Sequence, residues 1–135
     1  MDEKDQKEKF VKYWIEKCLQ SLEAAEDDLR AGRLSFSVNR IYYACFYIVS
    51  ALLLQRGFKF KKHSGVKASF HKNFVKQGLV SPDDGRFYNE LFEARQRGDY
   101  IEFVYFEKSQ VEEWLNRAKM FVDTVKRLIE QFKEK

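Results

Sequence analysis

Apolar residues recur every three or four positions along most of this chain, and that period predicts helices rather than strands. From Phe10 to Leu29 the stripe is Val11, Trp14, Cys18, Leu22, Ala25 and Leu29. It predicts an amphipathic helix stopped by Gly32. The next segment, Leu34 to Gln55, is apolar around much of its circumference, with Val38, Ile41, Cys45, Ile48 and Leu52 on one face and Tyr43, Phe46, Tyr47 and Leu54 on others. Such a helix must be covered on several sides by neighbours or by a second subunit, and a two-fold dimer is expected. Gly57 ends it, and the basic loop FKFKKHSG follows.

A shorter helix is predicted from about Gly65 to Lys76, capped by Ser64 and closed by Gly78, with Val66, Phe70 and Phe74 on one side. SPDD, residues 81–84, starts a fourth helix: Ser81 caps, Pro82 suits the first turn, and two aspartates complement the helix dipole. This helix fades near Gly98. SQVE, residues 109–112, has the form of a capping box, and Val111, Trp114, Leu115, Ala118, Val122, Val125, Leu128 and Phe132 then repeat as a bundle stripe. The expectation is an all-α bundle of four to five helices, with residues 1–135 forming one domain, a length that supports one core.

Composition narrows the classes. The run from Ile41 to Leu54 is shorter than the roughly 20 residues a bilayer requires and is broken by Ser50, and the charged N-terminus has no signal-peptide pattern, so no membrane role and a cytoplasmic setting are expected. Cys18 and Cys45 sit among apolar helical positions, as reduced buried thiols do. The net charge of +4 hides an asymmetry: no Asp or Glu occurs between Leu29 and Pro82, a stretch with ten basic residues, including Arg40, Lys61 and Lys62. A basic face of this kind suits a polyanion, and the interleaved phenylalanines and histidines either stack on bases or pack inward.

No metal site or nucleophile motif is evident. His63 and His71 have no Cys or carboxylate at ligand spacing, and they read as solvated or hydrogen-bonding side chains unless the fold assembles a site around them. No cofactor is expected. The stretch NELFEARQRGDYIEF, residues 89–103, places Arg95, Arg97, Asp99 and Tyr100 at a helix end. There, cations are favoured by the dipole, and Asp99 could pair with one of them.

The segments NRIYYACFY, ALLLQRGFKFKKHSGV, HKNFVKQG and LFEARQRGDYIEF, in that order over residues 39–103, resemble the HEPN domain family: compact helical domains of prokaryotic two-gene nucleotidyltransferase systems and of many RNA-cleaving toxins. The resemblance implies an up-and-down bundle that dimerises around a polar cleft. In RNase members the cleft carries an arginine and, after four to six intervening residues, a histidine. That pair cleaves RNA without metal, a base withdrawing the ribose 2′-hydroxyl proton while arginine stabilises the phosphate charge. Carried onto this chain, Arg95 takes the arginine position and Tyr100 stands in place of the histidine. Glu102 stands where some toxins have a tyrosine that a partner enzyme modifies. An unperturbed tyrosine, with a pKa of about 10, is a poor base at neutral pH, so the resemblance implies a phosphate-facing cleft more directly than it implies cleavage.

The expected function is nucleotide or RNA binding as partner of a minimal nucleotidyltransferase in a toxin–antitoxin-type pair. Arg95 and Tyr100 lie at its centre, with Arg97, Asp99, Arg40, Lys61, Lys62 and His63 around them. The alternatives are a metal-independent RNA endonuclease toxin and a structural dimerisation module.

Overall fold

The computed structural model describes residues 2–100 and 105–132, and the side chains of all of these except 98–100. The helices are α1 (Glu3–Arg30), α2 (Leu34–Gln55), α3 (His63–Phe70), α4 (Pro82–Tyr100) and α5 (Lys108–Gln131), with one turn of π-helix, His71–Val75, continuing α3. They form an up-and-down bundle with α2 at its centre, touching α1, α3, α4 and α5. α1 starts seven residues before the apolar stripe, because Asp2 accepts a hydrogen bond from the Asp5 amide at 2.8 Å and so caps a polar, exposed first stretch.

The bounds of α2 match the expected ones, since glycines with positive φ stand just beyond each end, Gly32 at 78° and Gly57 at 82°. After Gly32 the Arg33 amide reaches back to Asp28 O at 2.8 Å, and after Gly57 the Phe58 amide reaches Leu53 O at 2.9 Å. These bonds satisfy helix-end carbonyls as the chain turns away.

Within one chain α2 is enclosed along its main apolar face, while Tyr43, Phe46, Tyr47 and Leu54 on its other faces are partly buried. Val38, Ile41, Cys45, Ile48 and Leu52 are fully buried, as are Tyr42, Ala44, Val49 and Leu53, because neighbouring helices enclose several of its faces. Phe36 is exposed near the N-terminal end. At 22 residues α2 is long and apolar enough to cross a membrane, contrary to the sequence expectation, but two-thirds of its most apolar window is buried within the bundle.

Polar ties fix how the helices sit. Ser37 Oγ donates to Ala25 O at 2.8 Å, joining α2 to α1 through a buried bond. Arg117 pairs with Asp84 at 2.8 Å and Trp114 Nε1 donates to Glu90 at 2.9 Å, joining α5 to α4; Lys119 pairs with Glu26 of α1. At the C-terminal end of α2, Gln55 and the following Arg56 donate to the Ile129 and Leu128 carbonyls of α5 at 2.8 and 3.2 Å.

Three local expectations are corrected. α3 begins at His63 after Lys62, so Ser64 lies inside the helix and does not cap it; the seat of the His63 ring against α2, described below, accounts for the early start. α5 begins at Lys108 after Glu107, which places Ser109 in the first turn and leaves no side-chain capping bond. α4 runs through Gly98 to Tyr100, so Arg95 lies more than a turn from the end and the helix dipole does not account for it. The Ser81 cap is present, its Oγ accepting from the Asp84 amide at 3.1 Å.

The π turn packs against the start of α4. His71 Nε2 lies 2.8 Å from Asn89 Oδ1. Gly85 is buried there, and a Cβ on it would come within 3.1 Å of His71 Cε1 and both Val75 methyls. Phe70 and Phe74 point into the core, which excludes them as base-stacking surfaces.

Candidate functional site

The site forms where α2, α3 and α4 meet. Tyr42 and Tyr43 are neighbours on α2 and project differently: Tyr42 is fully buried, while Tyr43 is half-buried. Arg95 of α4 crosses above both rings, its guanidinium carbon 5.5 Å from the Tyr42 centroid and 5.3 Å from that of Tyr43. Its Nη2 donates to the Tyr43 hydroxyl at 3.1 Å. A guanidinium held by a hydroxyl and two aromatic faces keeps one orientation, which a flexible lysine ammonium would not.

His63 enters from α3. Its ring stacks on Phe46, centroids 4.1 Å apart and planes at 12°, and meets the Tyr43 ring edge-on at 5.5 Å. Its Nδ1 lies 2.7 Å from the Tyr42 hydroxyl. Burial, and secondarily the Arg95 charge, hold the imidazole pKa below its ordinary 6.5. Burial pushes the Tyr42 phenol far above its ordinary value, so that hydroxyl keeps its proton. His63 is therefore a hydrogen-bonding histidine, as its sequence context suggests, and it lies close enough to Arg95, with which the sequence reading groups it, to feel that charge.

The other expected residues are placed unevenly. Lys61 and Lys62 are exposed and immediately precede His63. Arg97 is exposed two residues beyond Arg95, and Arg40 is exposed one helical turn before Tyr43 on the same side of α2. The side chains of Asp99 and Tyr100, and all of Glu102, lie outside the described residues. The acid-free stretch is not one continuous cationic face. Arg30 and Arg33 pair with carboxylates of α1, Arg33 with Asp28 at 2.8 Å, and Arg56 is folded against α5 and the Phe132 ring at 4.3 Å.

Tyr42, Tyr43 and Phe46 were missed as site residues. Their signal was present: two adjacent tyrosines in an otherwise aliphatic core helix bring hydroxyls that need partners. Cys18 and Cys45 are buried free thiols, and burial raises both pKa values, that of Cys18 to about 12. Neither is suited to thiolate chemistry.

A central apolar helix wrapped by four others, with an arginine fixed over paired tyrosines at one edge, defines a helical-bundle protein with a cationic, aromatic-walled surface site. The chain belongs to the HEPN family: the model of the HEPN domain matches residues 11–128. It is 48% identical over 129 residues to a UPF0332 protein of Thermotoga maritima, covering 96% of this chain and 98% of that one. It is 36% identical over 115 residues to a Methanocaldococcus jannaschii protein named "putative toxin", covering 85% of this chain and 78% of that one. The crystal structure of TT1696 from Thermus thermophilus superposes with a TM-score of 0.71 at 18% identity, over 87% of this chain and 96% of that one, a likeness of fold.

Proposed function

We propose that this protein is a toxin-type HEPN protein that binds the phosphates of RNA or a nucleotide at Arg95 and acts as partner of a minimal nucleotidyltransferase. The observation that carries the reading is the seat of Arg95. A guanidinium fixed by Tyr43 and two tyrosine faces, near exposed Lys61, Lys62, Arg97 and Arg40, is suited to a phosphate. Family membership and the name of the archaeal relative support the toxin-type setting. The proposal includes a homodimer with the site in the cleft between subunits, as the family resemblance implies, and one domain spanning the chain. A second reading, metal-independent RNA cleavage, draws support from His63, which brings a titratable imidazole beside Arg95 although Tyr100 occupies the motif position.

The test is binding of a short single-stranded RNA, followed by fluorescence anisotropy across a salt series. Affinity is expected to fall steeply with salt as cations displaced from the phosphates are counted in the equilibrium. Arg95→Ala should weaken it tenfold or more, on the order of one charge-assisted contact. Charge reversal at Lys61 and Lys62 should flatten the salt slope. RNA affinity that is absent at low salt, or that ignores Arg95→Ala, would overturn the reading. Copurification with a nucleotidyltransferase encoded beside the gene checks the partnership.

A further inference from the structure

The His63 ring is held on two sides. Its plane lies on Phe46, centroids 4.1 Å apart, and its Nδ1 lies 2.7 Å from the Tyr42 hydroxyl. A contact of that length carries one proton, either the phenol's, donated to Nδ1, or the imidazole's, donated to the phenol oxygen. The two cases give the ring opposite roles. In the first the neutral imidazole keeps its proton on Nε2 and is a donor there; in the second Nε2 has a bare lone pair and can act as a base.

A third group, on the core side, separates the two cases. Tyr88 of α4 is fully buried, and its ring stacks on that of Tyr42 at 6.1 Å. It stands nearly three helical turns before Gly98. Its hydroxyl makes no hydrogen bond of full geometry, and the side chain with which it shares a weaker one is Tyr42. Burial raises both phenols above their ordinary value; on top of that, the weaker bond lowers Tyr42 and raises Tyr88, the signs of an acceptor and its donor.

Counting protons then gives the direction. If Tyr42 donates to His63, its oxygen accepts from Tyr88, and each hydroxyl proton along Tyr88, Tyr42 and His63 has a partner. If His63 donates to Tyr42, the Tyr42 proton turns toward Tyr88 and the Tyr88 proton is stranded in the core. A buried donor without a partner is costlier and rarer than a buried oxygen with a spare lone pair.

We propose that Tyr42 is a positioning residue that donates to His63 Nδ1 and holds the neutral imidazole with its proton on Nε2, which makes His63 a hydrogen-bond donor to a phosphate oxygen of RNA or nucleotide and not the base of a cleavage reaction. The phosphate partner rests on the reading of the site given above. The tautomer is set from the core side and is independent of what Arg95 binds. For His63 to act as a base from Nε2, the chain of hydroxyls has to reverse and strand a phenol proton.

Long-range proton–nitrogen NMR correlation on the full chain at about pH 8, where the imidazole is neutral, reads the tautomer, because protonated and bare ring nitrogens resonate far apart. The expected spectrum of the free protein shows His63 in the Nε2–H form alone. Tyr42→Phe should give a mixture of both forms with His71 unchanged, and Tyr88→Phe should keep the Nε2–H form. On saturation with a short single-stranded RNA the Nε2–H signal of the unaltered protein should persist and shift downfield, and Tyr42→Phe should weaken binding severalfold. An Nδ1–H form in the free protein, a tautomer that Tyr42→Phe leaves unaltered, or RNA binding that does not move the Nε2–H signal would overturn the proposal while leaving Arg95 as a phosphate site. Absence of RNA binding would remove the phosphate partner here and in the reading above, and the spectrum of the free protein would still decide the tautomer.

Discussion

The Arg95 guanidinium donates to the Tyr43 hydroxyl at 3.1 Å across a separation of 52 residues, tying the end region of α4 to the middle of α2. Tyr43→Phe keeps the ring and removes the tie. Because the donor is charged, the loss is expected to be about 1–2 kcal/mol of orientation at Arg95, which weakens RNA binding by roughly tenfold and leaves thermal stability nearly unchanged. Equal affinity in the two proteins would show that Arg95 is held well enough without the hydroxyl.

Tyr100 asks whether the site cuts or only holds. Tyr100→Phe should lose about one neutral hydrogen bond, roughly 0.5–1.5 kcal/mol of binding, and show no change in RNA integrity. Tyr100→His restores the family's acid–base group with four residues between it and Arg95, and RNA cleavage with an optimum near neutral pH is the expected gain. If the unaltered protein already cuts RNA and Tyr100→Phe abolishes the cutting, the tyrosine is an activated catalytic group and binding is the wrong first reading. If both variants and Arg95→Ala all fold and match the parent in binding and RNA integrity, the stretch is an ordinary helix end and the structural-module reading wins.

The depressed His63 pKa fixes a sign for acid stability. The unfolded chain takes up its proton near 6.5, the folded one only lower, so His63 costs no stability above about pH 6.5 and costs progressively more as the pH falls from there to the folded value. Thermal midpoints should drop over that window in the unaltered protein and less in His63→Asn. Glu26, whose carboxyl is held below its ordinary 4.5 chiefly by the hydrogen bond from Lys119, gives stability that is present at neutral pH and lost only as the pH falls below about 4.5, so the two windows separate. Parallel midpoint curves for the two proteins would refute the assignment.

Gly85→Ala tests the seat of the π turn. Alanine favours a helix interior by about 1 kcal/mol, but the added methyl meets His71 and two methyls of the stiff, branched Val75 at 3.1 Å. Crowding should win, with a net loss of about 1–2 kcal/mol in urea unfolding. Pairing it with Val75→Ala should recover part of that loss relative to the sum of the single changes.

The helices were legible wherever sequence period and chain-turning residues agreed. α2 shows this best, bounded by Gly32 and Gly57 and apolar enough to require enclosure. The starts of α3 and α5 were not legible, since Ser64 and Ser109 have the chemistry of caps while the chain enters each helix one or two residues earlier. The π turn leaves no mark in the apolar period, because Phe70 and Phe74 lie on one face in either helix type. In the site, Arg95 came from the family motif and its lysine neighbours from the charge pattern. The Tyr42–His63 contact spans 21 residues and depends on how α3 docks, which no local pattern encodes.

One helix carries both the floor of the site and the centre of the core. Tyr42, Tyr43 and Phe46 alternate along α2 with Ile41, Cys45 and Ile48, which are fully buried. Amides of such a segment exchange with solvent only when the whole protein opens. The floor beneath Arg95 therefore cannot soften independently of the fold. Control over this site, by a partner or a bound nucleotide, would have to act on who reaches it, as a shutter does over a fixed window.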